Sequence, residues 1–321
     1  MEFSLASGDP ESMQLNSIFV SALVLVSTAT SMAANAPKAT RNIANVGLNI
    51  TNCITASQME VHGHRGMNGY PDNTIASFKA AFDAGVDVAE LDLQVTADNH
   101  LLVAHDAIPN VGVERCGMDG KSLAKAALFD MPFAHTQQLR CGIKSFEEEN
   151  LQPIPELKEV FAVFKDRKTA TGKPVRLNIE VKYFLDQQQF YPPQAEYIDL
   201  ILKVIREGGW ETSRFFVQSF NHDFLNKFKE KAPDIQIVPL IGDARAAEKA
   251  AETTKATTVT PGFWQVTPEL VLNLHKKGIR AIVWTPNQDS EIRRVIEAGA
   301  DGIITDFPEL FYKIREELCN P

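Results

Sequence analysis

Basic residues are in deficit in this 321-residue chain: 32 Lys and Arg stand against 41 Asp and Glu, a formal charge of −9. That argues against a nucleic-acid backbone as partner, because such binding runs on counterions displaced by a cationic surface. It leaves room for a small anion, since a few local cations and a metal can overrule the global sign. Long apolar runs are lacking too. Ile18–Val26 is too short to span a bilayer, so no stable membrane insertion is expected. There is no C-x-x-C and no cysteine–histidine cluster, which removes a structural zinc site. His62-Gly63-His64-Arg65-Gly66 is not the G-x-G-x-x-G that a doubly wound nucleotide-binding sheet carries after its first strand.

What is present is ordinary in amount. Hydrophobic residues make up 44% and charged residues 23%, enough to bury a full core. Ile18–Val26 followed by Ser31-Met32-Ala33 has the form of a signal peptide cut near Ala33, although no Lys or Arg precedes it. Residues 1–33 are therefore read as leader and signal peptide, 34–57 as a lead-in, and 58–321 as the folded domain. The expected location is periplasmic or secreted. Four cysteines fit an exported chain. Cys116 and Cys141 share one loop-rich region and could bridge. Cys53 and Cys319 flank the domain, and a barrel puts both on its bottom face.

From Met59 onward short apolar strands alternate with amphipathic helices. Strands are predicted at Met59–His62, Val88–Val95, Leu101–Ala104, Val175–Val181, Phe215–Ser219, Ile235–Leu240, Ile279–Thr285 and Gly302–Thr305, with Thr257–Thr260 a weak extra. Several are apolar on both faces, as a parallel sheet covered by helices requires. Ala107–Asn150 breaks the rhythm and reads as an insertion. The expected fold is α/β, a (β/α)8 TIM barrel with an insertion after the third strand.

In such barrels chemistry sits where strands end. Those ends carry His64 and Arg65, Glu90 and Asp92, His105, Glu180 and Lys182, Gln218, Trp284 and Asp306. Glu90 and Asp92 are two apart on one strand and share a face. Carboxylates crowded in this way repel, and a divalent cation relieves them; Glu180 supplies a third. Oxygen-only ligation suits one Mg2+ or Ca2+. His64 and His105 can give and take a proton near neutral pH. Arg65 and Lys182 add positive charge that calls for an anion such as phosphate. Trp284 could wall a substrate pocket or fill the core. His62-Gly63-His64 also begins like a zinc hydrolase, but the later strands offer no further histidines to complete that site.

These residues resemble the glycerophosphodiester phosphodiesterase family from about Val61 to Pro308. The resemblance lies in His64-Arg65-Gly66, Pro71-Asp72-Asn73-Thr74, Glu90-Leu91-Asp92 and His105-Asp106, then in Asn178-Ile179-Glu180-Val181-Lys182, Val283-Trp284-Thr285 and Gly302-Ile303-Ile304-Thr305-Asp306. Asp72 stands where the family usually has Glu. The resemblance implies a metal site of Glu90, Asp92 and Glu180, His64 and His105 as acid–base pair, and Arg65 and Lys182 at the phosphate. It implies hydrolysis of glycerophosphodiesters, small-molecule substrates, to glycerol 3-phosphate and an alcohol. A related lyase would stop at a cyclic phosphate, and a barrel that only binds is the non-enzyme reading.

Overall fold

The computed structural model describes residues 50–113, 115–119, 121–122, 126–143 and 149–320. The chain divides into two units, Met1–Thr51 and Asn52–Pro321. Of the first, only residues 50 and 51 are described, so the expected leader and most of the lead-in lie outside the described residues. The second unit is a closed parallel barrel.

Its ring runs through β1 (Glu60–Gly63), β2 (Val88–Val95), β7 (Arg176–Val181), β8 (Phe215–Ser219), β9 (Gln236–Ile241), β10 (Thr258–Pro261), β11 (Arg280–Trp284) and β12 (Gly302–Thr305). β12 pairs with β1, and β1 with β2, which closes it. The (β/α)8 barrel is thus the architecture, with one exchange of members. Leu101–Val103 (β3) is not in the ring; it folds back antiparallel on Leu93–Val95 at the end of β2. The weak Thr257–Thr260 segment is the true eighth strand, pairing with both β9 and β11.

Every residue of β2 is buried. Ala89, Leu91, Leu93 and Val95 pack outward into the main core with the helices, while Val88 meets Phe216 and Val238 inside the ring. The period of two then turns Glu90, Asp92 and Gln94 inward as well. Burying a leucine such as Leu91 contributes roughly 1.5–3 kcal/mol, and that outer layer offsets the cost of a polar interior. The helix Ile75–Ala84 shows how a layer is set locally. Thr74 caps it by accepting from Ser77 N, Gly85 ends it at φ 104°, and Phe78, Ala81 and Phe82 face the core.

The insertion has its own small sheet, β5 (Lys121–Ser122), β4 (Arg115–Met118) and β6 (Arg140–Gly142), in that order. A separate apolar cluster sits beneath it, formed by Leu102, Ala104, Cys116, Leu128, Leu139, Cys141 and Ile154. Cys116 and Cys141 are paired in register and joined by a disulfide. Cys53, in the helical stretch at residues 50–58, is bonded to Cys319 at the end of the helix Pro308–Cys319. The first joins the pair that the sequence suggested could bridge; the second joins two cysteines that the sequence placed only on a shared face of the barrel. Among the described residues no helix is long and apolar enough to cross a membrane.

Candidate active site

The loop after β1 carries His64 and Arg65 over the barrel mouth. It folds tightly: Gly66 has φ 102°, and a Cβ there would lie 2.0 Å from Ser77 Oγ. Only glycine fits that position. Arg65 N donates to Glu90 Oε2 at 3.0 Å, its Nε lies 3.2 Å from Asp92 Oδ2, and its Nη1 lies 3.5 Å from Asp72 Oδ2. The shorter carboxylate at Asp72 therefore still reaches the arginine.

Glu90, Asp92 and Glu180 come from β2 and β7, where Asp92 and Glu180 are register partners. All three are buried, and one oxygen of each lies within 4.8 Å of the others. Among the described residues this is the one group of three acids, histidines or cysteines able to hold a metal. Burial first, then the charge of Asp92, pushes the Glu90 carboxyl up to about 8. Burial also raises Glu180, helped by Asp92 and opposed by Lys182. Asp92 goes the other way: burial alone would raise it, but the Lys182 and Arg65 charges hold it well below the carboxylate range. Lys182 Nζ bridges Asp92 Oδ1 at 2.9 Å and Glu180 Oε1 at 2.5 Å. Three carboxylates buried together, with Glu90 raised by burial and by the Asp92 charge, fit a divalent cation bound through oxygen.

Two residues outside the expected site hold this cluster. Asn73 Nδ2 donates to Asp92 Oδ2 at 2.9 Å, and its Oδ1 accepts from Asp92 N. Gln218 Nε2 donates to Glu90 Oε1 at 3.2 Å.

The histidines enter from two directions. His64 Nδ1 donates to Asp306 Oδ1 at 2.6 Å. Asp306 is fixed in turn by Asn287, which donates from Nδ2 to Asp306 Oδ2 and accepts from Asp306 N. Burial and Arg65 press the His64 pKa down, but the Asp306 bond and the Glu90 and Asp306 charges outweigh them and raise it. His105 arrives by the β2–β3 hairpin, turned at Asn99 with φ 64°. Ala104 N donates to Asp92 O, and Gln94 Nε2 to His105 O, which seats it beside the acids. His105 Nδ1 lies 2.8 Å from Asp106 Oδ1.

His64, Arg65, Glu90, His105, Glu180, Lys182 and Trp284 all line one cavity of about 140 Å3, with Gln218 and Phe220. Trp284 Nε1 donates to Thr260 O, and Phe220 and Trp264 meet its ring edge-on at 5.5 and 5.2 Å, so it is a wall of the mouth and not core. A larger cavity of about 420 Å3 opens alongside, sharing His105 and Lys182 and adding Ile108, Val111, Phe184, Phe190 and Tyr191. His62 is fully buried below, bonded to Glu60 and packed on Phe216, as a neighbour and not a ligand. The zinc alternative finds no partners: His100, His222 and His275 are bonded to Glu156, Leu240 O and Asp301.

An acidic cluster able to hold a cation, set between two histidines and two fixed cations, suits an anionic ester. That defines the class: a barrel phosphodiesterase with an acidic cluster able to hold a metal. The chain matches the Glycerophosphoryl diester phosphodiesterase family over residues 64–310, and it belongs to that family. It is 35% identical over 252 residues to a glycerophosphodiester phosphodiesterase of Caldanaerobacter subterraneus subsp. tengcongensis, covering 78% of this chain and 94% of the relative. It is 30% identical over 263 residues to another from Bacillus altitudinis, covering 81% and 99%. A solved Oleispira antarctica phosphodiesterase, in complex with its product sn-glycerol-3-phosphate, shares the fold at TM-score 0.67 and 21% identity, covering 81% of this chain and 97% of its own.

Proposed function

We propose that this enzyme hydrolyses glycerophosphodiesters to glycerol 3-phosphate and an alcohol, with His64 and His105 as the acid–base pair. The observation that carries this is the convergence of two aspartate-tethered imidazoles with Glu90 and Glu180 on one cavity, Asp92 completing the acidic cluster beside them. The relatives named as glycerophosphodiester phosphodiesterases, and the fold-mate that holds sn-glycerol-3-phosphate, support the substrate class.

Glu90, Asp92 and Glu180 would hold one Mg2+ or Ca2+, which when bound supplies positive charge to the phosphate as negative charge builds on it. Arg65 and Lys182 orient the phosphoryl oxygens and stabilise the same charge. With Nδ1 of each histidine tied to a carboxylate, proton transfer to substrate falls to Nε2. One histidine takes the proton from the glycerol 2-hydroxyl as it attacks phosphorus in line, and the other protonates the departing alcohol. Water then opens the cyclic ester with the roles reversed. The larger cavity beside His105 and Lys182 receives the alcohol. Export is part of the proposal, supported by two disulfides in a chain with no free cysteine among the described residues.

The test is a glycerophosphodiester panel followed by phosphorus NMR, with Mg2+, Ca2+ or EDTA. Glycerol 3-phosphate, formed only with a divalent ion, is the expected product. A cyclic phosphate that never opens would make the enzyme a lyase, and full turnover in EDTA would sink the cation's part.

A further inference from the structure

The insertion meets His105 through the Asp106 carboxylate. Asp106 Oδ1 is bonded to His105 Nδ1, and Asp106 Oδ2 accepts from Val113 N. Between these contacts the backbone of Gly112 lies flat against the acid. A Cβ at Gly112 would fall 2.1 Å from Asp106 Oδ1 and 2.4 Å from its Cγ. A side chain there would push the carboxylate aside, so the closeness of the loop to Asp106 depends on glycine.

What keeps the loop in place is Cys116. The Asn110 amide brackets it, with Oδ1 accepting from Cys116 N at 2.8 Å and Nδ2 donating to Cys116 O at 2.6 Å. Arg115 Nη1 donates to Gly112 O at 2.6 Å. Cys116 is fully buried and covalently joined to Cys141, whose own backbone is paired with Gln152. A continuous chain of contacts therefore runs from the disulfide through Asn110 and Gly112–Val113 to Asp106 and His105.

We propose that Asp106 is a positioning residue for His105, and that the Cys116–Cys141 disulfide keeps the Gly112–Val113 clasp closed on it. This rests on the acid–base reading of His105 above. A ring held at Nδ1 presents Nε2 in one orientation; a ring released from Asp106 rotates and carries its proton out of line.

The test compares kcat and KM for Asp106→Asn, Gly112→Ala, the pair Cys116→Ser with Cys141→Ser, and that pair combined with Asp106→Asn. His105→Ala is run alongside. Asp106→Asn should lower kcat about 10–100-fold with KM nearly unchanged. Gly112→Ala and the serine pair should each lower kcat in the same way, with the far-ultraviolet circular dichroism of the native fold. Members of one network do not add, so the combined variant should be no slower than Asp106→Asn alone. Wild-type kcat in Asp106→Asn, or in the serine pair, would overturn the proposal, as would losses that multiply in the combined variant. An active His105→Ala would instead overturn the acid–base reading, so the two failures are distinguishable. If Asp106→Asn does not fold, Gly112→Ala and the serine pair decide by the same kcat-against-KM split.

Discussion

His64 and His105 are held by the same bond and by opposite kinds of structure. His64 leans on Asp306, 242 residues away in the chain, at the end of β12 and clamped by Asn287. That pair exists only if the barrel is closed. His105 leans on the next residue, and Asp106 is steadied by a loop of the insertion. One half of the proposed acid–base pair thus belongs to the global fold, and the other to a local device with its own small core. In such an arrangement the His64–Asp306 contact shares the fate of the barrel, while the His105–Asp106 contact can be loosened through the insertion alone.

The largest effect should come from His64→Ala and His105→Ala, each lowering kcat about 10²–10⁴-fold; steady-state kinetics with wild-type KM checks both. One silent histidine would end the symmetry of roles. Next, Asp306→Asn should cost about 10–100-fold in kcat, and unlike Asp106→Asn its loss should be independent of the Cys116–Cys141 bond.

The barrel half also carries a pH signature. Glu90 has its folded pKa raised from 4.5 to about 8 by burial and Asp92. In cation-free protein its contribution is fully present below about pH 4.5 and is lost as pH rises through about 8. A divalent ion replaces the proton, so the Tm gain on adding Mg2+ or Ca2+ should grow across that window. Differential scanning at pH 5 and pH 8.5, with and without the ion, reads it; an equal gain at both would separate Glu90 from the cation.

The two disulfides sharpen the contrast further. Replacing Cys53 and Cys319 by serine should lower stability by about 2–4 kcal/mol and leave kcat alone, the inverse of the pattern expected for Cys116 and Cys141. Denaturant midpoints against kcat for the two pairs give the answer. The smallest effect is Thr74→Ala, which removes a helix cap and should cost about 1 kcal/mol, measured by the same melts.

Much of this was legible in the sequence because a barrel makes strand ends into a site. Period-two reasoning puts Glu90 and Asp92 on one face, and the barrel expectation with the family resemblance brings Glu180 to them. The strand exchange has a plain cause. Leu101–Val103 is more apolar than Thr258–Pro261, but Thr258 and Thr260 are buried just as well. Hydrophobicity alone cannot see that this barrel interior accepts polar groups. The aspartate partners were hidden for two different reasons. Asp306 is remote in sequence from His64, and nothing local announces the contact. Asp106 was in view, yet alternation along a strand predicts that neighbours point apart. The strand stops at Val103, so that rule no longer applies at His105 and Asp106.

The Cys53–Cys319 bond turns the barrel from a string into a loop of covalent bonds. Its ends are fixed 4.9 Å apart at the Cα atoms, on the face away from the mouth. A single cut in any exposed loop between them, the insertion included, opens the ring without releasing a piece. Nicked enzyme should therefore migrate as one molecule until a reductant is added. Joining the two ends and opening the chain elsewhere asks almost no rearrangement of the fold.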